Sequence, residues 1–443
     1  MSHNPLFAVC CSLMVVYLVG LYVYRIYLPP VAHIPGPLLA KATYWFEFYY
    51  DLVLRGQYTF KIKQLQEQYG PIIRINPEEA HIADAEFYDV IMPDHPRGET
   101  NGHDIAEQYA FGRDDNRVSA KDFDPSFHDA SNAGVRMGHL VKHFPFIFSV
   151  MKSHPDSVQV MLDPNMASYV KLQRDMKAQI ELIRRNLDGD MYKTAPYHTI
   201  FHEVLNSDLP EAVKSKNRLW QDGQVTVIAG TLTTASALSY TLFCLLTQPE
   251  VLIQLKRELN DAIPDPRHLP PLAVLENLPY LSACIKEGLR LSNGVSSRLQ
   301  RIDPDKAVVF TDRTKNKGSQ FILPPGTAIS MTGMLMHLDS TYFPEPLVFN
   351  PGRWLGQPGL DKYLVPFSRG TRQCIGINLA YAEICVILAM IFRNYGSVDV
   401  KMDDDAGYLE LYDTEWHRDL EIVGDGLLPI NRPESKGVRI RVR

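Results

Sequence analysis

The sequence predicts a mainly helical fold with small β-sheets, arranged as a single large domain behind one N-terminal transmembrane helix. Three observations predict it: a long apolar segment at the N-terminus, helical hydrophobic patterns from residue 106 to residue 258, and only short strand-like runs elsewhere. The chain has 443 residues, 45% hydrophobic and 22% charged, which is enough to bury a substantial core. The net charge of −6 argues against a nucleic-acid partner, which would need a dense positive surface.

The N-terminal apolar segment is long enough to cross a bilayer as a helix. No side chain from Leu6 to Tyr24 is charged, and about 20 apolar residues span the hydrocarbon layer. A cleaved secretory signal is the alternative, but the first residues lack a basic region and no cleavage site of small residues follows. Because Arg25 and Lys41 follow the segment and no Lys or Arg precedes it, the body of the protein is expected in the cytosol.

The rest of the chain divides into a connector and one domain. We assign residues 1–28 to the anchor and 29–443 to the domain, because prolines over 29–37 predict a stiff, non-helical connector. A polar segment rich in Pro and Gly, 92–104, is the best candidate loop of the first half. The six cysteines include no CxxC pair, which favours a reducing compartment.

Local patterns predict the short elements of the domain. An aromatic-rich helical stretch covers 44–69, and a hairpin strand follows at 71–75. Strand-like runs recur around 308–310 and 321–323, and residues 437–442 alternate as a closing strand. The domain is therefore expected to carry its sheets as small separate units among helices.

Two later stretches carry almost no charge, residues 225–246 and residues 375–392. The first contains seven Ser or Thr side chains and the second contains only Glu383 as a charge. Both compositions are typical of helices buried in protein. A protein with several membrane spans is the alternative.

The strongest chemical signal is one cysteine in a glycine-containing loop directly before an apolar helix. The loop runs from Phe367 to Gly376 and contains Cys374. The helix dipole and Arg372 favour the thiolate, which is a ready metal ligand. Gly376 removes a side chain that would block a flat cofactor from approaching the helix. The loop therefore predicts a site for a metal-containing planar macrocycle.

The spacing FxxGxRxCxG of this loop resembles the signature of the cytochrome P-450 superfamily of haem-thiolate monooxygenases. The resemblance implies the cytochrome P-450 fold and haem b as the cofactor, with Cys374 as the axial ligand of the haem iron. It also implies that Phe367, Arg372 and Gly376 contact the haem. A buried structural cysteine beside a helix is the alternative.

Two further segments resemble the same family. Glu287 and Arg290 match its ExxR helix, and the segment around Arg353 is similar to its PxRF-type segment. The resemblance implies that these three residues form a buried network that braces the cysteine loop, a structural role. Such a network has to be complete, because removing one partner leaves a buried charge unpaired.

A third segment, Ala229 to Thr234, resembles the distal helix of the family. Gly230 opens space beside the helix, and the hydroxyl of Thr233 can donate to the carbonyl of Ala229 one turn earlier. The resemblance implies a catalytic role for Thr233, which holds a water and passes protons. Leu232 stands where the family usually has an acidic residue, so the proton route stays open. A buried helix with self-satisfied hydroxyls is the alternative.

The propionate groups of a haem need cations, and the resemblance implies Arg372 together with Arg301 or Arg298. Ser296 and Ser297 correspond to a family loop that usually lines the substrate pocket. These residues complete the predicted site.

The resemblance implies a monooxygenase that inserts one oxygen atom from dioxygen into an apolar small molecule, a terpenoid or other secondary metabolite as in fungal members. No flavin or nicotinamide motif is visible, so an NADPH-dependent cytochrome reductase is expected to dock near the cysteine face, where Arg369 lies. The expected location is the endoplasmic reticulum membrane, with a single span and a cytosolic domain. A haem-thiolate isomerase or dehydratase is an alternative, encouraged slightly by Leu232.

The chain departs from the family in its first third. Members usually carry a helix whose Trp and Arg reach the haem edge, yet no Trp lies between Trp45 and Trp220. A block is therefore expected to be missing near 92–104, through a deletion or a wrongly joined gene model. A relative that binds haem poorly and catalyses nothing is the corresponding alternative.

The spacing of two pairs of histidines makes them candidate metal ligands. His139 and His143, and His198 and His202, each lie four residues apart and would share a helix face. Neither pair has a third ligand at a suitable spacing. Solvated or locally hydrogen-bonded histidines are therefore expected.

Overall fold

The computed structural model describes residues 5–92, 126–162, 164, 166–186, 199–315, 317–357 and 359–443. Its first element is helix α1 (Pro5–Tyr27), which covers the charge-free segment. The side chains of α1 are largely exposed, and Val16 is 70% exposed. An apolar helix that the protein itself leaves uncovered fits a membrane anchor.

The described domain is mainly helical, as its sequence predicts. After α1, the helices in chain order are α2 (Leu38–Ala42), α3 (Trp45–Phe48), α4 (Tyr58–Tyr69), α5 (Tyr88–Ile91), α6 (Ser126–His143), α7 (Pro145–Ser153), α8 (Asp156–Leu162), α9 (Met166–Asn186), α10 (Ile200–Asn206), α11 (Lys216–Thr247), α12 (Pro249–Ala262), α13 (Leu272–Glu276), α14 (Pro279–Ser292), α15 (Gly333–His337) and α16 (Ile377–Asn394). Short 3-10 and π turns connect several of them. Helices α11 and α16 confirm the prediction of two long, nearly uncharged helices.

The strands form small sheets at the periphery of the helices. They are β1 (Ile72–Arg74), β2 (Glu79–Ile82), β3 (Leu299–Ile302), β4 (Val308–Thr311), β5 (Gln320–Leu323), β6 (Ala328–Met331), β7 (Tyr395–Ser397), β8 (Gly407–Leu411), β9 (Gly424–Gly426), β10 (Leu428–Ile430) and β11 (Ile440–Val442). The largest sheet has the order β1-β2-β6-β3, and β11-β8-β7, β4-β5 and β10-β9 form the others. The sheet β1-β2-β6-β3 joins the start of the domain to β3, which carries Arg301.

The predicted hairpins and strands are present. β1 pairs antiparallel with β2, and β4 pairs antiparallel with β5. The closing strand begins at Ile440, three residues later than the pattern predicts. The predicted helical stretch over 44–69 is interrupted, because Arg55 and Gly56 adopt positive φ angles of 56° and 83°. The amide of Asp425 donates to the carbonyl of Gly56 at 2.9 Å, so a distant strand imposes this break.

The main core lies between α11, α12, α14 and α16. Leu245, Leu281 and Leu388 are fully buried there. Helices α11 and α14 approach so closely that a Cβ atom on Gly288 would lie 1.9 Å from Thr241 Oγ1. By length and composition α1, α11 and α16 are each apolar enough to span a membrane, but 33% of the apolar window of α11 and of α16 is buried, against 6% for α1.

Candidate active site

Cys374 lies in a tight loop, three residues before Ile377, the first residue of α16. The amide of Cys374 donates to the carbonyl of Phe367 at 2.9 Å, and the amide of Gln373 donates to Gly370 at the same distance. Positive φ angles at Ser368 (57°) and Gly370 (77°) turn the chain sharply enough to close this loop. The side chain of Cys374 is exposed. The loop therefore presents the sulfur outward instead of burying it in the core.

Gly376 leaves space beside the sulfur. A Cβ atom built on Gly376 would lie 3.9 Å from Cys374 Sγ, and no other heavy atom of the described residues would lie within 4 Å. The φ of Gly376 is −90°, which other residues also adopt, so open space and not backbone strain favours glycine here. Beside the sulfur, Ile375 is 90% exposed. The open apolar surface around the sulfur fits a flat cofactor.

Two cations without a carboxylate partner lie near the cysteine loop. Arg301 in β3 donates to its neighbouring carbonyl of Gln300 at 2.8 Å. Burial lowers the pKa of Arg301, and the nearby positive charge of Arg372 lowers this pKa further. Among the described residues no Asp or Glu pairs with either guanidinium. Two uncompensated positive charges fit a cofactor that carries carboxylates, which a haem does.

Arg298 is committed to other partners, so the prediction that it could bind a propionate is wrong. Its Nε lies 2.8 Å from Glu79 Oε1, and its Nη2 lies 2.6 Å from Glu47 Oε1. Burial alone would lower its pKa, but Glu79 and Glu47 raise the pKa of Arg298 well above its usual value. Ser296 and Ser297 both donate to Asp425 Oδ1; Ser296 is fully buried and Ser297 is partly buried.

Glu287 collects the donors that the sequence predicts and one that it does not. Arg290 donates to both carboxylate oxygens at 3.0 and 2.8 Å, and Arg353 Nε donates to Oε1 at 3.0 Å. The indole nitrogen of Trp354 donates to Oε2 at 2.9 Å. Arg290 also donates to the carbonyl of His337 at 2.8 Å. The buried charges of α14 are thereby paired with the segment that follows β6.

His337 links this network to the cysteine loop, and sequence reasoning missed it. Its Nδ1 lies 3.0 Å from Asn293 Oδ1, and its Nε2 accepts the amide of Val365 at 2.9 Å. Burial, followed by the charge of Arg290, lowers the pKa of His337 to about 3, so the ring is neutral at pH 7. No local motif surrounds His337, since its partners lie far away in the chain.

Thr233 lies in the middle of α11 and makes the backbone contact predicted for it. Its hydroxyl donates to the carbonyl of Ala229 at 2.7 Å. The loop after α14 approaches it, because a Cβ atom on Gly294 would lie 3.6 Å from Thr233 Cβ. Leu232 packs against the apolar cluster of α9 and offers no proton. In the same helix Val225 is 67% exposed, so α11 presents an uncovered apolar face.

Glu383 in α16 is a second group that sequence reasoning did not assign. Its side chain lies close to Thr234, the neighbour of Thr233. Burial raises the pKa of Glu383 to about 7. A carboxyl group that titrates near neutrality therefore lies between α16 and α11.

The histidine pairs do not form a metal site in the described part of the chain. His143 Nε2 lies 3.0 Å from Asp51 Oδ2, and His139 Nδ1 lies 3.5 Å from the same oxygen. His202 forms a capping box with Thr199 at the start of α10, and His198 lies outside the described residues. The expectation of a locally hydrogen-bonded histidine is confirmed for His202, whereas His139 and His143 contact Asp51, which lies far away in the chain. Across the described residues no group of three His, Cys, Asp or Glu could hold a metal ion.

The exposed cysteine, the space beside it and two guanidinium groups without a carboxylate partner among the described residues define a site of the haem-thiolate class. The family model "Cytochrome P450" matches residues 112–406 of this chain. The cytochrome P-450 monooxygenase tpcC of Cochliobolus heterostrophus is 39% identical, over 96% of this chain and 95% of that protein. The cytochrome P-450 monooxygenase sdnE of Sordaria araneosa is 34% identical, over 100% of this chain and 99% of that protein. The N-acetyltryptophan 6-hydroxylase ivoC of Emericella nidulans is 33% identical, over 88% of this chain and 91% of that protein.

The chain belongs to the cytochrome P-450 family. It is an oxidoreductase of the monooxygenase type, similar to fungal monooxygenases of secondary metabolism. A haem-thiolate cofactor, dioxygen, a substrate and a redox partner belong to this class of enzyme.

Proposed function

We propose that the protein inserts one oxygen atom from dioxygen into an apolar small molecule, a terpenoid or other secondary metabolite, with haem b bound at the cysteine loop. The observation that carries the proposal is the exposed Cys374 sulfur with open space at Gly376. A bound haem would supply the activation of dioxygen and the oxidation. The thiolate of Cys374 would hold its iron and donate electron density to it.

The remaining site residues hold the cofactor and a water that carries protons. Arg301 and Arg372 bind the propionate carboxylates, because both are free of other carboxylates in the described part of the chain. Phe367 is the first residue of the cysteine loop, and its ring centroid lies 5.3 Å from that of Tyr381. The hydroxyl of Thr233 donates to Ala229, so its oxygen is available to accept a hydrogen bond from a water. Thr233 is therefore the catalytic residue that holds a proton-bearing water.

The uncovered apolar face of α11 supports an apolar substrate. Val225 in that face is 67% exposed, and Ile375 beside the sulfur is 90% exposed. Such surfaces bind apolar ligands through the hydrophobic effect. The printed names of two relatives, N-acetyltryptophan 6-hydroxylase ivoC and tryptophan 6-hydroxylase fscE, describe hydroxylation of tryptophan compounds. A substrate panel for this chain therefore includes terpenoids and indoles.

We further propose that α1 anchors the protein in the endoplasmic reticulum membrane, with one span and the domain in the cytosol. Arg25 and Lys41 on the domain side of α1 support this orientation. Electrons then come from the NADPH-dependent cytochrome reductase of the same membrane. The guanidinium of Arg369 pairs with Asp89 and its side chain is only 15% exposed, so other residues of the cysteine face would contact the reductase.

We propose that a block of the family is missing from this chain near residues 92–104 through a wrongly joined gene model, with a true deletion as the alternative. The family model begins to match only at residue 112. The alignment with tpcC extends over 502 positions, more than the 443 residues of the whole chain, so that relative has residues without a counterpart here. Apart from Met92, the candidate loop over 92–104 lies outside the described residues.

The test is the carbon monoxide difference spectrum of the dithionite-reduced, full-length protein. We expect a strongly red-shifted Soret band in the wild type, its loss in Cys374→Ser, and its retention in Cys385→Ser, which changes a buried cysteine of α16. A band that survives in Cys374→Ser would overturn the ligand. Turnover without oxygen and reductase would favour a haem-thiolate isomerase or dehydratase, and absence of any haem band would favour a haem-deficient relative.

A further inference from the structure

Three basic residues meet where the anchor helix ends. The Nη2 atom of Arg74 in β1 donates to the carbonyl of Arg25 in α1 at 2.7 Å and reaches the carbonyl of Lys41 in α2 at 3.5 Å. The Nη1 atom of Arg25 donates to the carbonyl of Ala42 at 3.1 Å. These bonds hold the last turn of α1, helix α2 and strand β1 together. We call Arg25, Lys41 and Arg74 the basic cluster.

The basic cluster has no counter-charge in the described part of the chain. None of its three residues forms an ion pair with a carboxylate there. The Arg74 side chain is completely buried, and its Nε and Nη1 atoms lack a hydrogen-bond partner. Burial, and after it the charge of Arg74, lowers the pKa of Lys41. Because like charges repel each other, an anion that binds to the two partly exposed members, Arg25 and Lys41, stabilises the cluster, with Arg74 buried behind them.

The position of the basic cluster selects the kind of anion. Arg25 follows directly after the charge-free segment of α1, so it lies at the level where a bilayer places its headgroups. Beside Lys41, the side chains of Leu38 and Leu39 are 62% and 59% exposed. Exposed leucines next to unpaired cations are typical of a surface that contacts both the acyl chains and the phosphates of lipids.

We infer that the basic cluster is a binding site for the phosphate headgroup of an anionic phospholipid. Guanidinium and ammonium groups donate charge-assisted hydrogen bonds to phosphate oxygens, and the guanidinium fork does so with two parallel bonds. The bound headgroup neutralises the cluster and fastens the end of α1 to the domain. This inference rests on the proposed role of α1 as the membrane anchor.

The experiment uses the full-length protein in neutral detergent and counts bound lipid by native mass spectrometry during titration with phosphatidic acid or phosphatidylcholine. We expect the wild type to retain phosphatidic acid preferentially. Lys41→Gln is expected to weaken this binding about fivefold, which corresponds to about 1 kcal/mol for one cation at a lipid surface. Lys306→Gln, an exposed lysine in the loop after β3, is the matched control and is expected to change nothing.

Equal retention of both lipids, or equal loss in Lys41→Gln and Lys306→Gln, would overturn the lipid site. Displacement of the lipid by inorganic phosphate at equal concentration would also overturn it, because the site would then bind small anions. The carbon monoxide spectrum of the same samples separates the proposals. A red-shifted band without lipid preference overturns only the lipid site, whereas lipid preference without that band overturns only the proposed function.

Discussion

Single residues at this site act mainly through the charges that they pair or leave unpaired. Glu287 accepts hydrogen bonds from Arg290, Arg353, Trp354 and the amide of Asn350, so each carboxylate oxygen has more than one donor. Arg298 has two carboxylates, while Arg301 and Arg372 have none among the described residues. Sequence motifs alone do not separate these arginines, because the separation depends on distant acids.

Replacing Glu287 by Gln is expected to lower the free energy of unfolding by about 3 kcal/mol or more, because two buried guanidinium groups lose their counter-charge. Trp354→Phe removes one neutral donor and is expected to cost only about 1–2 kcal/mol. Urea denaturation followed by circular dichroism measures both. Equal losses in the two variants would contradict the charge-pairing account.

Glu383→Gln is expected to stabilise the protein at pH 8 but not at pH 4.5. Because burial raises the pKa of Glu383 from 4.5 to about 7, its contribution to stability is complete below pH 4.5 and is lost as pH rises through 7. For a half-buried group the gain at pH 8 is about 1–2 kcal/mol. Thermal unfolding across this pH range measures it, with the exposed Glu276→Gln in α13 as the control. A pH slope unchanged in Glu383→Gln would refute this assignment.

At the scale of elements, the site depends on how closely helices approach one another. Thr241 of α11 donates its hydroxyl to Ala237 in its own helix at 2.8 Å and turns the same oxygen toward Gly288 of α14. Glycine is required at 288 because any Cβ would overlap this oxygen. The contact sets the spacing between the helix of Thr233 and the helix of Glu287.

Gly288→Ala is expected to destabilise the protein by about 1–3 kcal/mol, because the added Cβ forces α14 away from α11. Thr241→Ala in the same chain is expected to recover most of this loss. Gly138→Ala in α6 has no heavy atom within 4 Å of its new Cβ and is the control, with no loss expected. Denaturation midpoints compare the four proteins, and a double variant no better than Gly288→Ala would rule out this contact as the cause.

A histidine contact joins α6 to the turn after α3 and makes this junction sensitive to pH. Burial would lower the pKa of His139, but its hydrogen bond and ion pair with Asp51 outweigh burial and raise it. The contribution to stability is therefore complete below pH 6.5 and is lost as pH rises through the raised pKa. His143 and Lys142 face the same carboxylate and share its charge.

His139→Gln is expected to flatten the dependence of the melting temperature on pH above about pH 6.5, because Gln does not titrate. His417→Gln, whose ring is 84% exposed, is the control and should retain the slope of the wild type. Differential scanning fluorimetry in a pH series measures both variants. Parallel curves for wild type and His139→Gln would exclude this junction as a source of the dependence.

At the scale of the whole molecule, the block proposed to be missing near residues 92–104 has the largest consequence. The resemblance implies that family members cover the cofactor with residues of this block, whereas the cysteine loop, α11, α14 and α16 are all present in this chain.

Sequencing of full-length transcripts is expected to find in-frame codons between those for Met92 and Asp104. The longer protein is expected to give a larger red-shifted carbon monoxide band per mole than the chain of 443 residues, because the added residues exclude water from the haem. Transcripts that join these codons as written would contradict the gene-model explanation. Equal bands from both proteins would show that the block is not needed for haem binding.

The family, the long helices, the small sheets and the cysteine loop can all be predicted from the amino-acid sequence. These features depend on residues close together in the chain, where a repeat of 3.6 or 2 residues or a fixed motif spacing is sufficient. The break at Gly56 could not be predicted from local sequence patterns, because the backbone of Asp425 imposes that break from a distant strand.

The tertiary structure is needed to show which arginines lack a carboxylate partner among the described residues. It is also needed to show which residues connect the hydrogen-bond network of Glu287 to the cysteine loop. Arg298 meets Glu79 and Glu47 across 219 and 251 positions of sequence, and His337 joins Asn293 to Val365. A charge, a pKa and a hydrogen bond depend on distance in space and on burial. A motif encodes neither, so Arg298 and Arg301 are equivalent in the sequence and different in the fold.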